Sequence, residues 1–408
     1  MIKIYKSLKG VNMCYTSKRR KWEKSYIDKV FKNQDKPDEK YFDILFHNEE
    51  LINAKSEYIP ESLYKYYSPT SDNILDIENK RIWFSHPNNF NDPFDCLTGH
   101  DYLKYEKESL LNYIDKENLV DNTNINDSFT KSEINKIINS TTSLENSSYV
   151  KKYYSILKIN ILSNKSDKFQ DEIRNYIEKI RRNFNLKIKK MRDINIRVAC
   201  FSRFKNHKEF YKKIQMWSHY ADNHKGFCVE YDLSELKQKI NFLIKDHEYY
   251  DNRDEYLNEK VKATIKGGLF PVNYSSRRVN IPYTKVKKLK IKENGALERN
   301  KTLNKKLFKT FLVKSTNWSY ENEWRIIIEG DICDYFDNKI PFPYIKKIYL
   351  GCNMNKKNID ALIEIGKKLN VEVVMLKMNN SKYILEESSI DDYKWSEEQR
   401  KFYNPFTR

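Results

Sequence analysis

Short runs of apolar residues recur along the chain, and their spacing separates strands from helices. The runs at 196–202 and 227–232 are short and rich in β-branched and aromatic side chains, which favours strands. In the segments 149–190 and 357–369, apolar residues instead recur every three or four positions, which favours helices. These elements interleave without a regular strand–helix–strand rhythm. The pattern therefore predicts an α+β fold with mixed, mainly antiparallel sheets, surrounding helices and a helical insertion.

Changes in this pattern divide the chain of 408 residues into regions. Residues 1–59 are charged and helical in pattern, so we expect an N-terminal helical extension. Residues 60–380 hold the predicted strands and form the expected core domain, with an insertion at about 121–192. The first part of the insertion, 121–148, is rich in Asn, Ser and Thr and is expected to be a mobile surface segment. Residues 381–408 form the expected C-terminal tail.

One predicted strand carries charges within an otherwise apolar stretch. Because strand side chains alternate between faces, we expect Glu321, Glu323 and Arg325 to share one face. Buried charges are tolerated where they satisfy each other or serve a ligand. The strand alone leaves two interpretations open, a structural Glu–Arg pair that closes a sheet edge or a part of a functional site.

The net charge of the chain is strongly positive. A formal charge of +18 favours an acidic partner such as RNA, DNA, a nucleotide or an anionic membrane surface. Basic residues cluster at 18–21, at 181–190 and at 277–292. Such clusters are either solvated faces or nucleic-acid contacts. We therefore expect a nucleic-acid or protein acceptor as a possible partner and leave the oligomeric state open.

The cysteine and histidine spacing argues against a structural metal site. The six cysteines occur singly, without a CxxC pair, and the seven histidines show no metal-ligand spacing. This cysteine usage is typical of reduced thiols in a cytoplasmic protein. No apolar stretch approaches the roughly 20 residues of a membrane span, and the first 24 residues lack a signal-peptide pattern. We expect a cytoplasmic protein that has no membrane partner.

Four uncommon motifs occur in order along residues 60–380. In this order they resemble the bacterial domain-of-unknown-function family 2971, and the coincidence of four motifs makes the resemblance specific. The resemblance implies a family but no reaction. The motifs are Leu63-Tyr-Lys-Tyr66; Trp83-Phe-Ser85 with Phe90-Asn-Asp-Pro-Phe-Asp95; Cys200-Phe-Ser202 with Met216-Trp-Ser-His-Tyr-Ala-Asp-Asn-His-Lys-Gly226; and Trp318 with Glu321-Asn-Glu-Trp-Arg325.

The same segments are more distantly similar to the ADP-ribosyltransferase fold, which implies NAD as cofactor. In that fold a late strand supplies a glutamate, and here Glu323 would stabilise an oxocarbenium-like transition state. Arg325 would orient Glu323 or meet a phosphate. The chain departs from that fold because it has no Ser-Thr-Ser triplet in the second region. The resemblance implies Lys65 or Tyr66 in the first polar role, and Ser85 or Ser202 in the second.

The remaining motif residues each have two interpretations. His219 is either an acid or base near neutral pH or a surface histidine with structural hydrogen bonds. The Asn and Asp residues of the 90–95 loop either bind a ligand or cap the loop. Helical spacing places the Trp and Tyr of the 216–220 helix in the core or on a substrate platform. The candidate substrate-binding residues are Lys65, Tyr66, Ser85, Asn91, Asp92, Asp95, Ser202, Trp217 and Tyr220, and the candidate catalytic residues are Glu323, Arg325 and His219.

The combined expectation is a bacterial effector, of the toxin or phage-defence kind that the resemblance implies. Its chemistry would be NAD-dependent and ADP-ribosyltransferase-like or glycohydrolase-like, on nucleic acid or protein. One alternative is a metal-dependent nuclease in which Glu321, Glu323, Asp92 and Asp95 bind Mg²⁺. Another is a non-enzymatic nucleic-acid-binding module. The shared-site hypothesis requires Glu323 and Arg325 to lie beside the 83–95 loop.

Overall fold

The computed structural model describes the protein in two compact units. The larger unit comprises Met1–Cys96, Asn195–Ser276 and Phe308–Arg408, and the smaller comprises Leu97–Ile194 and Arg277–Leu307. The residues described are 22–31, 49–116, 130, 132, 167–192, 195–240, 253–293, 298 and 301–389. Among them, no helix has the length and apolar content that crossing a membrane requires.

Helices and strands alternate irregularly in the described part of the chain. The strands are β1 (Ser62–Tyr67), β2 (Arg81–Trp83), β3 (Ile196–Ser202), β4 (Phe227–Asp232), β5 (Leu269–Pro271), β6 (Asn273–Ser275), β7 (Val313–Ser315), β8 (Glu323–Glu329), β9 (Lys339–Pro341), β10 (Ile345–Leu350), β11 (Glu372–Met378) and β12 (Leu385–Ser388). The helices are α1 (22–31), α2 (Glu49–Asn53), α3 (Ser71–Glu78), α4 (Tyr102–Lys116), α5 (Asp167–Arg192), α6 (His207–Tyr211), α7 (Ile214–Tyr220), α8 (Ser234–Lys237), α9 (Arg253–Gly268), α10 (Tyr283–Lys288), α11 (Lys301–Thr310), α12 (Gly330–Tyr335) and α13 (Lys356–Leu369). Short 3₁₀ helices span Pro87–Asn89 and Thr316–Glu321.

An eight-stranded sheet forms the centre of the larger unit, in the order β12-β11-β10-β4-β1-β3-β8-β5. All its neighbouring strands pair antiparallel except β10 and β11, which are parallel. The predicted α+β class with a mixed, mainly antiparallel sheet is confirmed. Two ribbons accompany the sheet within this unit, β2 with β9 and β6 with β7.

Strand β8 lies inside the sheet, between β3 and β5. Its residues from Glu323 to Ile328 are all buried, so of the two interpretations left open, a Glu–Arg pair that closes a sheet edge does not describe this strand. The strand also begins two residues later than predicted. Glu321 belongs to the preceding 3₁₀ helix because Asn322 adopts a left-handed conformation with φ 47°, which interrupts the extended chain.

Helices α6 and α7 pack against β1 through aromatic side chains. Tyr66 lies edge-on to Trp217, with ring centroids 5.2 Å apart, and Phe210 stacks with Tyr64 at 5.1 Å. Trp217 is 0% exposed and Met216 is buried beside it. Of the two interpretations that helical spacing left open for Trp217, the core position is therefore confirmed.

The end of α7 is not capped by a glycine. The helix ends at Tyr220, and the turn is made by residues 222–224, which adopt positive φ values of 44°, 53° and 67°. Gly226 lies beyond this turn, where the chain passes the backbone of β1. A Cβ added to Gly226 would lie 2.0 Å from the carbonyl oxygen of Tyr67. The glycine is required by this close approach of two backbones.

The described part of the N-terminal region belongs to the larger unit. Lys55 follows α2 and is buried, and its ammonium donates hydrogen bonds to the carbonyls of Lys266, Gly267 and Leu269. The amino group of Lys55 thus donates to backbone carbonyls where α9 ends and β5 begins. In the predicted C-terminal tail, β12 pairs with β11, and residues 390–408 lie outside the described residues.

The smaller unit is helical in its described residues. Phe184 of α5 contacts the rings of His100, Tyr102 and Tyr105 at centroid distances of 4.8–5.1 Å. The predicted helix in the insertion is confirmed over 167–192. The helical pattern at 149–166 and the 121–148 segment lie outside the described residues, apart from positions 130 and 132. The unit also takes in residues that the predicted insertion did not include, at 97–120 and 277–307.

Candidate functional site

Arg325 lies at the centre of a buried set of hydrogen bonds and is 0% exposed. Its Nε donates to Glu323 Oε1 at 2.6 Å, and its Nη2 donates to Asp95 Oδ2 at 2.6 Å. Its Nη1 donates to Asp95 Oδ1 and to the carbonyl oxygen of Phe311, at 3.0 and 2.9 Å. The planar guanidinium thus holds two carboxylates, each through two bonds.

Lys314 connects this arrangement to a third carboxyl group. Its Nζ donates to Glu321 Oε2 at 2.7 Å and to Glu323 Oε2 at 3.2 Å, and it lies 3.7 Å from Asp95 Oδ2. The same ammonium is 4.9 Å from the centroid of the Trp318 ring. Three carboxyl groups therefore share two cations. We call this set the ion cluster, which consists of Asp95, Lys314, Glu321, Glu323 and Arg325.

The two glutamates of the ion cluster have pKa values displaced in opposite directions. Burial, together with the negative charge of Glu323, raises the pKa of Glu321 to about 7, against the attraction of Lys314. Burial would also raise the pKa of Glu323, but Arg325 and Lys314 outweigh it and hold that pKa well below its usual range. At neutral pH, Glu323 is therefore ionised while Glu321 exchanges its proton.

Aromatic side chains lie next to Glu321. The hydroxyl of Tyr220 donates to Glu321 Oε1 at 2.5 Å. The exposed ring of His219 lies 6.0 Å from Trp318 and 6.5 Å from Tyr320, both half-buried. We call His219, Tyr220, Trp318 and Tyr320 the aromatic rim. It brings flat apolar faces to Glu321, the glutamate of the ion cluster whose pKa is raised to about 7.

The predicted meeting of the β8 charges with the 83–95 loop is confirmed. Asp95 binds Arg325 directly, and the ring of Phe90 lies 5.3 Å from the guanidinium carbon. Asn91 forms a side-chain hydrogen bond with Tyr220 of the aromatic rim. The loop thus joins the strand that carries Arg325 to the helix that carries Tyr220.

Two further predicted residues lie close to the ion cluster. Ser202 is buried and is directly opposite Glu323 in the β3–β8 register. Lys65 donates to the carbonyl oxygen of Cys200 at 3.2 Å, and its positive charge acts on Glu323. Burial lowers the pKa of Lys65.

Other predicted substrate-binding residues make structural contacts. Tyr66 and Trp217 are core residues between β1 and α7. Ser85 pairs with Val198 through its backbone, and its hydroxyl donates to the carbonyl of the next residue at 3.3 Å. Asp92 is buried, and its Oδ1 accepts the backbone N–H of Phe94 at 2.8 Å, which is the loop-capping interpretation. Contact of these four with a substrate stays an untested prediction.

Lys314 and Tyr274 are members of the site that the sequence did not reveal. The hydroxyl of Tyr274 accepts the backbone N–H of Glu323 at 2.8 Å. Lys314 is the central residue of β7, seven residues before Glu321, and its position in the sequence gave no spacing signal. The burial of Lys314 would have indicated its role, because a buried lysine requires acidic partners, but burial could not be predicted from the sequence.

The chain is similar to a family of unknown function over part of its length. Residues 216–326 match the family described as "Protein of unknown function (DUF2971)". This match supports the family resemblance drawn from the motifs. Its description names no reaction, and the ADP-ribosyltransferase resemblance has no support from it. No curated protein and no solved structure matches the chain.

The segment that matches DUF2971 contributes most of the ion cluster. It includes Glu321, Glu323 and Arg325, together with Lys314 and the aromatic rim, whereas Asp95 lies outside it. The site is therefore completed by a loop from the preceding part of the larger unit.

The ion cluster does not fit the magnesium ion of the nuclease alternative. In the described part of the chain, no three acidic, His or Cys side chains are arranged to hold a metal ion. Asp95 and Glu323 already accept hydrogen bonds from Arg325, and Lys314 bridges Glu321 and Glu323. A divalent ion would have to displace these cations, so we derive no step through a metal.

Proposed function

We propose that the protein breaks the N-glycosidic bond of an NAD-like nucleotide, with Glu321 as the base. The observation that carries the proposal is the pair of glutamates whose environments separate their pKa values, a pattern typical of acid–base sites. Glu321 also lies next to the aromatic rim, which offers ring faces to a nicotinamide or another base.

The geometry favours Glu321 over Glu323 for this role. Glu323 accepts two bonds from the guanidinium of Arg325 and one from Lys314, whereas Glu321 accepts one from Lys314 and one from the neutral hydroxyl of Tyr220. A carboxylate with a strongly lowered pKa is a poor base at neutral pH. Glu321 is close to the optimum because its pKa is about 7. Glu323 and Arg325 then act as positioning residues that hold the charge around Glu321.

The proposed step conserves atoms and charge. The bond between the ribose C1′ and the nicotinamide nitrogen breaks, and its electron pair leaves with the nicotinamide. The oxygen of the acceptor forms the new bond to C1′. The ionised form of Glu321 takes the acceptor proton and later releases it to solvent. With water as acceptor the products are nicotinamide and ADP-ribose, and with a hydroxyl of a nucleic acid or protein the product is an ADP-ribosylated acceptor.

The biological setting belongs to the proposal as well. An enzyme that consumes NAD or modifies a macromolecule suits a bacterial effector of the toxin or antiviral-defence kind. This setting rests on the resemblance drawn from the motifs alone, because the description of the matching family names no biological role.

The test is NAD cleavage by the purified protein, followed as nicotinamide release, with and without RNA, DNA or protein acceptors. We expect Glu321→Gln to lower the rate at least about 100-fold, which is the ordinary contribution of a general base. Glu364→Gln is the matched control, because Glu364 is an exposed glutamate on α13. Turnover that persists in Glu321→Gln, or its absence in a folded wild-type protein under every acceptor condition, would refute the proposal.

The smaller unit supports nucleic-acid binding as a second candidate function. The ammonium of Lys187, on α5, donates to the carbonyl of Lys287, on α10, at 3.0 Å. This bond brings together the two basic clusters that the sequence singled out. Exposed cations on one helical unit are the usual footprint of phosphate binding. They are Arg181, Arg182, Lys189, Lys285, Lys288 and Lys290.

A further inference from the structure

Glu321 is shielded from solvent by the groups that bind it. The residue is 2% exposed, and each of its carboxyl oxygens already accepts a hydrogen bond. Oε2 accepts from the ammonium of Lys314 at 2.7 Å, and Oε1 accepts from the hydroxyl of Tyr220 at 2.5 Å. A general base takes a proton directly or through one intervening group. Because Glu321 is buried behind these two donors, its proton has to arrive through one of them.

Of the two donors, Tyr220 is the one that connects Glu321 to an exposed group. Lys314 is buried, and its ammonium also bonds to Glu323, which is buried as well. Tyr220 is half-buried, and its hydroxyl bonds to the side chain of Asn91, an exposed residue of the 83–95 loop. The hydroxyl therefore lies between a buried carboxylate and an exposed amide.

The chemistry of these three side chains fixes the direction of their hydrogen bonds. An ionised carboxylate only accepts, so the single phenolic hydrogen of Tyr220 is donated to Glu321. The amide of Asn91 then donates to the phenolic oxygen. A hydroxyl oxygen has two lone pairs, which leaves one position for the hydroxyl group of an acceptor. Burial, together with the charge of Glu321, raises the pKa of Tyr220, so the phenol keeps its proton at neutral pH.

We propose that Tyr220 is a catalytic residue that passes the acceptor proton to Glu321. This role rests on the proposed function, in which Glu321 is the base. In one concerted step, the O–H bond of the acceptor breaks and its proton bonds to the phenolic oxygen. The original phenolic proton moves to Glu321 Oε1, and the acceptor oxygen keeps the electron pair with which it attacks C1′. Tyr220 is a neutral phenol before and after the step, and Asn91 is a positioning residue for its oxygen.

The groups around Glu321 set how readily it takes this proton. Lys314 favours the ionised form of Glu321, and Glu323 opposes it. The hydroxyl of Tyr220 favours the ionised form as well, because it donates a hydrogen bond to the carboxylate. Removal of this hydroxyl therefore raises the pKa of Glu321. The titratable or charged neighbours are Lys314 of β7, Glu323 and Arg325 of β8, Tyr274 of β6, Tyr320 of the 3₁₀ helix and Asp95 of the 83–95 loop.

The first measurement is NAD cleavage by Tyr220→Phe, beside the wild type and Glu321→Gln. We expect Tyr220→Phe to lower the rate about 100-fold, as Glu321→Gln does, because each variant interrupts the same proton transfer. The double variant should lose little more than either single variant, since residues that act as a unit are not additive. Tyr211→Phe is the matched control and should keep the wild-type rate. Its hydroxyl also donates to a glutamate, Glu387, at 2.5 Å.

The second measurement is the titration of Glu321, followed by ¹³C NMR of its carboxyl carbon, and it requires no turnover. The signal is identified by its absence from the spectrum of Glu321→Gln. We expect a midpoint near pH 7 in the wild type and in Tyr211→Phe, and a higher midpoint in Tyr220→Phe. A midpoint that Tyr220→Phe leaves unchanged would overturn the inference, because the hydroxyl would then not act on the proton of Glu321.

The two measurements separate failure of this role from failure of the proposed function. A wild-type rate in Tyr220→Phe beside an inactive Glu321→Gln would overturn the relay and keep Glu321 as the base. A folded wild type that does not cleave NAD would refute the proposed function and the catalytic role of Tyr220 together. If Tyr220→Phe does not fold, Asn91→Ala replaces it, with kcat expected to fall about 2- to 10-fold and KM for NAD unchanged. An unchanged kcat in Asn91→Ala would then overturn the inference.

Discussion

Arg325 forms hydrogen bonds with more groups than the one carboxylate that would neutralise its charge. Its three nitrogens serve two carboxylates and a backbone carbonyl, without contact with solvent. Removing a guanidinium from such a place leaves Asp95 and Glu323 buried together without their main counter-ion. The cost of breaking a buried pair comes mostly from the charge that stays behind.

Arg325→Met is therefore expected to destabilise the protein by about 3 to 5 kcal/mol. Arg182→Met is the control, since Arg182 pairs with Glu178 on the surface of α5 and its side chain is 81% exposed. The control should change the stability by less than about 1 kcal/mol. Chemical denaturation followed by circular dichroism measures both. Equal stabilities of the two variants would contradict a structural role for the buried guanidinium.

The raised pKa of Glu321 predicts how stability depends on pH. The unfolded value is 4.5 and the folded value is about 7, so the native state binds more protons between these limits. Stability contributed by this group is present below pH 4.5 and is lost as the pH rises through about 7, on the order of 1 to 3 kcal/mol in total. Glu321→Gln should flatten the stability profile in this window.

The contribution of Glu323 to stability depends on pH in the opposite direction, so it can be compared with that of Glu321 in the same protein. Its pKa is lowered on folding, so its contribution is present above pH 4.5 and is lost as the pH falls. Glu321→Gln should leave the loss of stability below pH 4.5 in place. A profile between pH 4.5 and 7 that is the same in wild type and Glu321→Gln would contradict the raised pKa of Glu321.

At the scale of elements, the close approach at Gly226 is the sharpest steric constraint. A Cβ there would meet the backbone oxygen of Tyr67, which has no flexible end that could move away. We expect Gly226→Ala to destabilise the protein by more than about 2 kcal/mol, because β1 and β4 would have to separate locally. Gly99→Ala is the control, since its nearest neighbour would be 3.5 Å away. Thermal unfolding should show a clear loss for Gly226→Ala and little change for Gly99→Ala.

Strands β3 and β4 could be predicted because their apolar runs are short and bounded by polar residues. The predicted bounds 196–202 and 227–232 agree with β3 and β4. The start of β8 could not be predicted in the same way. Its limit is set by the left-handed Asn322, and a single asparagine in a polar run gives no signal of its conformation.

In the candidate site, only the charged residues that belong to the quoted sequence motifs could be predicted. Glu323, Arg325 and Asp95 belong to quoted motifs, and they do meet. Lys314 could not be placed because its role depends on how β7 is positioned relative to β8, which is a tertiary feature.

At the scale of the whole molecule, the proposed chemistry and the proposed nucleic-acid contact belong to different units. The ion cluster lies in the larger unit, whereas the two basic clusters joined by Lys187 lie in the smaller one. If the smaller unit binds nucleic acid, binding and catalysis should respond to separate substitutions. The suitable measurement is how the nucleic-acid affinity depends on salt concentration. This dependence reports the number of counter-ions released on binding and does not require a known sequence preference.

We expect the wild-type protein to bind duplex DNA or RNA with an affinity that falls steeply with salt. The triple variant Lys189→Ala, Lys285→Ala and Lys288→Ala should lower the slope of log K against log salt by about 2 to 3, because each lost phosphate contact removes about 0.9. The matched control removes three exposed lysines of the larger unit, Lys357→Ala, Lys367→Ala and Lys382→Ala, and so has the same net charge. Equal slopes in the two triple variants would mean that net charge alone attracts the nucleic acid, whereas a change confined to the first would assign the contact to α5 and α10.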